Sequence, residues 1–204
     1  MAITAADVNK LRQQTGAGMM DCKNALVEAN GDFEAAVDIL RKKGQKIAAK
    51  RGDNDAKEGV ILAQTTGDGK AGVILTLNCE TDFVAKNEGY VSLVQSLINK
   101  ALENLPESVE ALKALSYDDK LSIDEKITEQ IGVIGEKLDL SGYAVLRGDK
   151  VVAYNHPGNQ LATLVVLNSA SETASEAGRQ VAMQVAAMNP IAVTKDGVDS
   201  RTIE

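Results

Sequence analysis

The hydrophobic pattern of the chain changes its period near residue 58, and this change most limits the folds that the sequence can adopt. Before that point apolar residues recur at helical spacing, as they do at Phe33, Ala36, Val37 and Leu40. After it, β-branched and apolar residues alternate with polar ones over 59–66 and 71–79, which predicts two strands. Residues 67–70, Gly-Asp-Gly-Lys, have the composition of a hairpin turn. We therefore expect a helical head followed by a body that contains antiparallel sheet.

The head predicts three helices. Thr4 and Asp7 have the spacing of a capping box at the start of the first helix. Asp32 is expected to cap the third, which we expect to stop at Gly44 because glycine commonly ends helices. Residues 44–58 then predict a short helix and a polar linker.

The body predicts a similar order of elements twice. Residues 107–135 are expected to be mostly helical, and the alternating pattern returns from Gly142. An amphipathic helix is expected from Glu172 to about Met188. Residues 75–78 and 165–168 align at a spacing of 90, each on the last strand before a helix. The expected fold class is therefore α+β, with two similar subdomains built on antiparallel sheets.

These patterns predict three domains. The N-terminal three-helix domain and its linker occupy residues 1–54, the first core subdomain 55–140 and the second 141–204. Residues 199–204 have the composition of a helix start, but the sequence ends there. We therefore expect that the chain stops before a C-terminal helical region.

Charge separates the head from the body. The whole chain has a net charge of −7, but residues 1–51 carry +3 and the remainder −10. The acidic body would be repelled by nucleic acid, so RNA binding would have to rest on the head alone. A basic cluster at the end of the head suits either a solvated helix end or electrostatic steering onto an acidic partner. Its members are Lys42, Lys43, Lys46, Lys50 and Arg51.

Composition excludes several classes of function. Cys22 and Cys79 lie far apart and neither belongs to a CxxC motif, which excludes a disulfide framework and a zinc ribbon. Gly16 and Gly18 lack the third glycine of a dinucleotide fingerprint. The single histidine, His156, has no nucleophile motif to serve, so we assign no catalytic residue and expect no enzyme activity, cofactor or metal site. Without a signal peptide or a membrane-spanning run, we expect a cytoplasmic protein that does not bind membranes.

Two segments are candidates for contact with a partner. Met19 and Met20 begin a predicted helix and point about 100° apart, so both cannot face one small core. At least one is therefore expected on the surface, with core packing alone as the alternative. Phe83 lies beside an acid in a polar segment just after a strand. It either packs into its own core or stands exposed as a contact for a partner.

The same segments resemble the signatures of the elongation factor Ts family. The matching stretches are Thr15-Gly-Ala-Gly-Met-Met-Asp-Cys-Lys23, Ala25-Leu26, Glu28-Ala-Asn-Gly-Asp32 and Asn78-Cys-Glu-Thr-Asp-Phe-Val-Ala-Lys86. The resemblance covers essentially the whole chain. It implies a three-helix domain like ubiquitin-associated domains, followed by a core of two α+β subdomains. It also implies a guanine-nucleotide exchange factor that promotes GDP release from elongation factor Tu during protein biosynthesis.

The resemblance further implies which residues bind elongation factor Tu. The matched positions are Arg12, Met19, Met20, Lys23, Arg51, Thr81, Asp82, Phe83, Val84, Ile134 and His156. Asp82 and Phe83 match the pair that intrudes beside the nucleotide and is expected to displace Mg²⁺ from the partner. Arg51 stands where some relatives have lysine, so the charge is kept.

Two other functions stay open at this point. One is an RNA- or ribosome-binding adaptor that uses the basic head, although direct nucleic-acid binding is not expected from the charge of the body. The other is a metabolic enzyme of α+β fold, which no motif supports. A homodimer is compatible with the sequence.

Overall fold

The computed structural model contains both helices and antiparallel strands, and it describes residues 3–199 and residue 202. The α+β prediction is confirmed. The elements in chain order are α1 (Ala5–Thr15), α2 (Met19–Glu28), α3 (Phe33–Lys50), β1 (Glu58–Thr65), β2 (Ala71–Cys79), α4 (Asp82–Ala85), α5 (Glu88–Asn104), α6 (Val109–Ala114), α7 (Ile123–Ile134), β3 (Asp139–Arg147), β4 (Lys150–Asn155), β5 (Ala162–Leu167) and α8 (Glu172–Met188). A short 3₁₀ turn follows at Lys195–Gly197.

Side-chain caps and a glycine turn define the head helices. The predicted capping box is present, since Asp7 N donates to Thr4 Oγ1 at 3.2 Å and Thr4 N donates to Asp7 Oδ2 at 3.0 Å. Gly16 ends α1 with a φ of +72°, which favours glycine. Asp32 caps α3 as predicted. The head has a small core of its own, made of Val8, Leu11, Ala17, Cys22, Ala25, Leu26 and Ala36.

The prediction that the third helix stops at Gly44 is wrong. The helix α3 continues to Lys50, and Gly44 is buried within it where α3 packs against α7. A Cβ built on Gly132 of α7 would lie only 2.6 Å from the Cα of Gly44. Glycine at these two positions therefore allows the backbones of α3 and α7 to approach closely. This packing outweighs the poor helix propensity of glycine. Because α3 is continuous, it carries the head directly onto the body.

The main core lies under the first sheet, whose strand order is β1-β2-β3 with antiparallel pairing throughout. Helix α5 packs across β1 and β2 and buries Val94, Leu97 and Ile98 completely. The strand β3 begins at Asp139 and pairs with β2, so it crosses the predicted domain boundary at residue 140. The division into 1–54, 55–140 and 141–204 stays a prediction.

A second, two-stranded sheet of β4 and β5 carries α8 on one face. The side-chain amide of Asn155 joins it to the first sheet. Its Nδ2 donates to Ala63 O at 2.9 Å, and its Oδ1 accepts from Ala63 N at 2.8 Å. Ile61 N also donates to Asn159 O at 2.7 Å. The two sheets are therefore connected by hydrogen bonds as well as by packing.

No helix among the described residues has the length and apolar character needed to cross a membrane. The predicted helix start at 199–204 falls largely outside the described residues, which include only Asp199 and Thr202 of that stretch.

Replacing Gly132 with alanine should destabilise the protein, because the new methyl group would meet the backbone of Gly44. Such overpacking costs about 1–3 kcal/mol, which is at least as large as the gain of about 0.5–1 kcal/mol expected for alanine in a helix interior. Urea unfolding followed by circular dichroism measures the change. Gly67→Ala is the control, since no atom lies within 4 Å of its new Cβ. A Gly132→Ala variant as stable as the wild type would contradict the close contact.

Candidate functional site

The segment that leaves β2 folds into a single helical turn, α4. Thr81 caps the turn, with its Oγ1 accepting from Val84 N at 3.4 Å. Val84 and Ala85 pack against the main core, whereas Phe83 is 83% exposed and Asp82 is half-buried. Thr81 therefore caps the turn, and Val84 and Ala85 anchor it to the core. Asp82 and Phe83 are left facing outward.

Of the two placements that the sequence allows for Phe83, the structure shows the exposed one. Full burial of a phenylalanine side chain contributes about 1.5–3 kcal/mol to the stability of the fold, and the exposed Phe83 ring does not make this contribution. A single exposed apolar residue does not by itself define a site. The significance of Phe83 depends on how its helical turn is held.

Glu136 holds the start of this turn. Its Oε2 accepts from the backbone N–H of Glu80 at 3.1 Å and of Thr81 at 3.0 Å. Its Oε1 accepts from Thr81 Oγ1 at 2.7 Å. Glu136 follows Gly135, which ends α7 with a φ of +82°. The end of α7 is therefore tied to the end of β2 by charge-assisted hydrogen bonds.

Glu80 makes the reciprocal connection. Its Oε1 accepts from the backbone N–H of Lys137 at 2.6 Å, and Arg51 Nη1 lies 2.8 and 2.9 Å from its two carboxylate oxygens. Asn54 Nδ2 donates to Oε2 at 3.0 Å. These donors, the Lys137 amide foremost, hold the pKa of the Glu80 carboxyl below its ordinary value of 4.5. The carboxylate thus joins the end of α3 to the segment after α7.

Asp82 lies outside this network. Its carboxylate pairs with Lys86 Nζ at 2.6 Å, one turn along the chain. The hydrogen bond from Lys86 and its positive charge lower the pKa of Asp82, so the group is ionised at neutral pH. A solvent-exposed pair of this kind contributes little to stability.

Both methionines at the start of α2 lie on the surface, Met19 45% and Met20 64% exposed. The alternative that they serve only as core residues is therefore wrong. Arg12 and Lys23 are exposed as well. Methionine is an adaptable contact residue because its side chain is flexible and polarisable.

The head lies close to the end of α7. A Cβ on Gly16 would meet Val133 Cγ1 at 3.7 Å, so the loop before α2 contacts α7 there. Ile134 follows, half-buried against the main core. Two residues later Glu136 reaches Thr81. The structure thereby connects four predicted parts of the site: the start of α2, Ile134, the turn at 81–84 and, through Glu80, Arg51.

His156 lies apart from these residues, in the turn between β4 and β5. It is exposed, and its Nδ1 is 2.8 Å from the hydroxyl of Tyr154. Gln160, in the same turn, lines a hollow together with Glu58 and Asn78 at the end of the first sheet. Within the described part of the chain, no hydrogen bond or ion pair joins the His156 side chain to the other predicted site residues.

No sequence pattern predicts a role for Asn54, Glu80 or Glu136. Glu80 belongs to the quoted 78–86 stretch, but Glu136 lies 56 positions further along the chain and no local pattern pairs the two. In the described residues, no cluster of three or more His, Cys, Asp or Glu side chains could hold a metal ion.

Comparison with known proteins agrees with the motifs. Residues 80–204 match the family model described as Elongation factor TS. Elongation factor Ts of Christiangramia forsetii is 52% identical over 202 residues, which cover 99% of this chain and 73% of that protein. The protein of the same name from Amoebophilus asiaticus is 52% identical over 205 residues, covering 100% and 74%. That from Porphyromonas gingivalis is 48% identical over 204 residues, covering 100% and 73%.

Identity at this level over nearly the whole chain identifies a translation elongation factor, a protein of the biosynthetic machinery. The chain belongs to the elongation factor Ts family, as its motifs indicate.

Glu80→Gln should lower stability at neutral pH and have less effect in acid. The pKa of Glu80 is lowered in the folded protein, so its stabilising effect is present above the unfolded value of 4.5 and is lost as the pH falls through the folded value. The difference in unfolding free energy between wild type and Glu80→Gln should therefore shrink from about pH 6 to about pH 3. Glu176→Gln, on the exposed surface of α8, is the control. A difference that stays constant over this range would contradict the assignment.

Proposed function

We propose that this protein is a guanine-nucleotide exchange factor that promotes GDP release from elongation factor Tu. The observation that carries the proposal is Phe83, exposed on a capped and anchored turn within the family motif. Membership of a translation factor family favours this function over the RNA-binding adaptor and the metabolic enzyme. We infer that the protein acts in the cytoplasm, where elongation takes place, and that it works by binding and not by bond chemistry.

Exchange of this kind is a competition between two ligands for one partner. The factor must bind the empty GTPase more tightly than the GDP-bound form. This coupling is reciprocal, since the factor by which the protein weakens GDP binding is the factor by which GDP weakens binding of the protein. The contacts that matter are therefore those that the protein makes only when the nucleotide site is disturbed.

Phe83 supplies one such contact. Because the ring is exposed in the free protein, it can enter an apolar gap in the partner without first leaving its own core. Burial of the ring is worth about 1.5–3 kcal/mol, which corresponds to about one to two decades of affinity. A wedge of this size contributes to GDP release but cannot by itself displace a nucleotide that is bound many decades more tightly.

Asp82 supplies a second contact. A carboxylate placed beside the Mg²⁺ of the partner disturbs the network that holds the metal. Because Mg²⁺ compensates much of the phosphate charge, its loss weakens GDP binding more than the wedge alone. In the free protein the Asp82 carboxylate is instead paired with Lys86 at the surface.

The remaining affinity is distributed over the other predicted contacts. Met19 and Met20 offer an adaptable apolar surface on the head. Lys43 and Arg51 of the basic cluster are paired within the protein, with Asp21 and Glu80. In the described part of the chain the other three members form no ion pair, so they are the ones left to steer an acidic partner: Lys42, Lys46 and Lys50.

Phe83→Ala should lower the stimulated rate of GDP release by about ten- to a hundredfold when the protein is limiting, because one aromatic contact is lost. Its unfolding midpoint should stay unchanged, since truncation of an exposed ring leaves no cavity. Release of fluorescent GDP from elongation factor Tu, with thermal unfolding in parallel, gives both values. Val193→Ala, which truncates another fully exposed apolar side chain, is the control. Release by Phe83→Ala at the wild-type rate would show that the wedge is wrong.

Association with elongation factor Tu should slow as salt is raised from about 0.1 M to about 1 M, because the screening length falls from about 10 Å to about 3 Å. The double variant Lys46→Ala, Lys50→Ala should reduce this salt dependence, whereas Lys195→Ala in the 3₁₀ turn should not. Stopped-flow measurement of the association rate tests both statements. A rate that does not change with salt would remove electrostatic steering from the proposal.

A further inference from the structure

We propose that Arg51, Glu80 and Glu136 form a positioning network that holds Phe83 in the orientation in which it meets the partner. This inference rests on the proposed exchange function. It assigns roles to two glutamates for which the sequence predicts none. It also moves Arg51 from direct contact to positioning.

The network consists of two carboxylates that each bond to the backbone beside the other. Glu136 accepts the N–H groups of Glu80 and Thr81, while Glu80 accepts the N–H of Lys137. These hydrogen bonds continue the pairing of β2 with β3, which ends at Asn78 and Asp139, out to the start of the turn. Arg51 adds a third attachment, because its guanidinium bonds to Glu80 from the end of α3.

The side chains of the network are less exposed than the Phe83 ring that they position. The side chain of Glu80 is 18% exposed and that of Arg51 37%, whereas Phe83 is 83% exposed. The carboxylate oxygens of Glu80 and Glu136 are occupied by donors from within the chain. Both glutamates are thus engaged internally, and Phe83 is left to face outward.

The helix α4 depends on this attachment because it is very short. It contains only four residues, and a helix of this length is not stable by itself. Its cap, Thr81, is the residue that Glu136 grips at both the backbone N–H and the hydroxyl. Loss of Glu136 would release the N-terminal end of the turn, while Val84 and Ala85 kept its other end on the core. The direction of the Phe83 ring would then vary. Ordering the ring on binding would reduce the net free energy that its contact contributes.

A double-mutant cycle tests this role. Glu136→Ala should lose most of the stimulated GDP release that Phe83→Ala loses. In a Phe83→Ala background the same change should cause a clearly smaller fold-loss, because the part that acts through the ring is already gone. Glu136→Gln, which keeps one acceptor oxygen, should retain an intermediate rate. Should Glu136→Ala fail to fold, the cycle is run with Glu136→Gln.

Glu125→Ala is the matched control. Glu125 accepts from Ser122 N in the capping box at the opposite end of α7, so its loss weakens the same helix without touching the turn. Its stimulated release rate should stay at the wild-type value. Amide hydrogen exchange supplies a readout that does not depend on the partner: Glu136→Ala should speed exchange at Thr81–Ala85, and Glu125→Ala should not.

The outcomes separate this inference from the function on which it rests. If the wild-type chain does not accelerate GDP release, the proposed function fails, and hydrogen exchange still tests the network. If the wild type accelerates release and Glu136→Ala matches it, the positioning role is wrong. It is equally wrong if Glu136→Ala causes the same fold-loss with and without Phe83, or if exchange at Thr81–Ala85 is unchanged.

Discussion

The carboxylates of Glu80 and Glu136 each accept hydrogen bonds from the backbone beside the other, and through Arg51 they link the end of β2, the segment after α7 and the end of α3. Charged acceptors are suited to this task because they bind several N–H donors at once. Thr81 stands at the centre, since its hydroxyl donates to Glu136 and accepts from Val84 N. These hydrogen bonds hold the start of the turn on which the exposed Phe83 ring stands.

A second constraint places the head on the same body. Gly44 and Gly132 let α3 and α7 approach at backbone distance, so the head is carried on a helix that is packed directly against α7. The loop before Met19 then lies against Val133, near the end of α7 from which Glu136 extends. An exchange factor that contacts its partner at several separate places benefits from such rigidity, because little ordering is needed on binding.

Local patterns in the sequence predict much of this fold. The capping box of Thr4 and Asp7 and the 71–79 strand are confirmed because neighbouring residues determine them. Gly44 is wrongly predicted to end α3, because glycine is needed there for close packing against Gly132 of α7, which lies far along the chain. For the same reason, spacing does not reveal that Glu80 meets Glu136. The motifs predict the contact residues through family resemblance, but the exposure of Phe83 follows only from tertiary packing.

In the proposed function the protein competes with GDP for elongation factor Tu, and its contacts favour the nucleotide-free form of that partner. The most direct measurement compares its affinity for elongation factor Tu with and without saturating GDP, for example by isothermal titration calorimetry. We predict much tighter binding to the nucleotide-free form, with GDP affinity lowered by the same factor when the protein is bound. Equal affinity for the two forms would contradict the account, since a ligand that does not discriminate between two states cannot shift them.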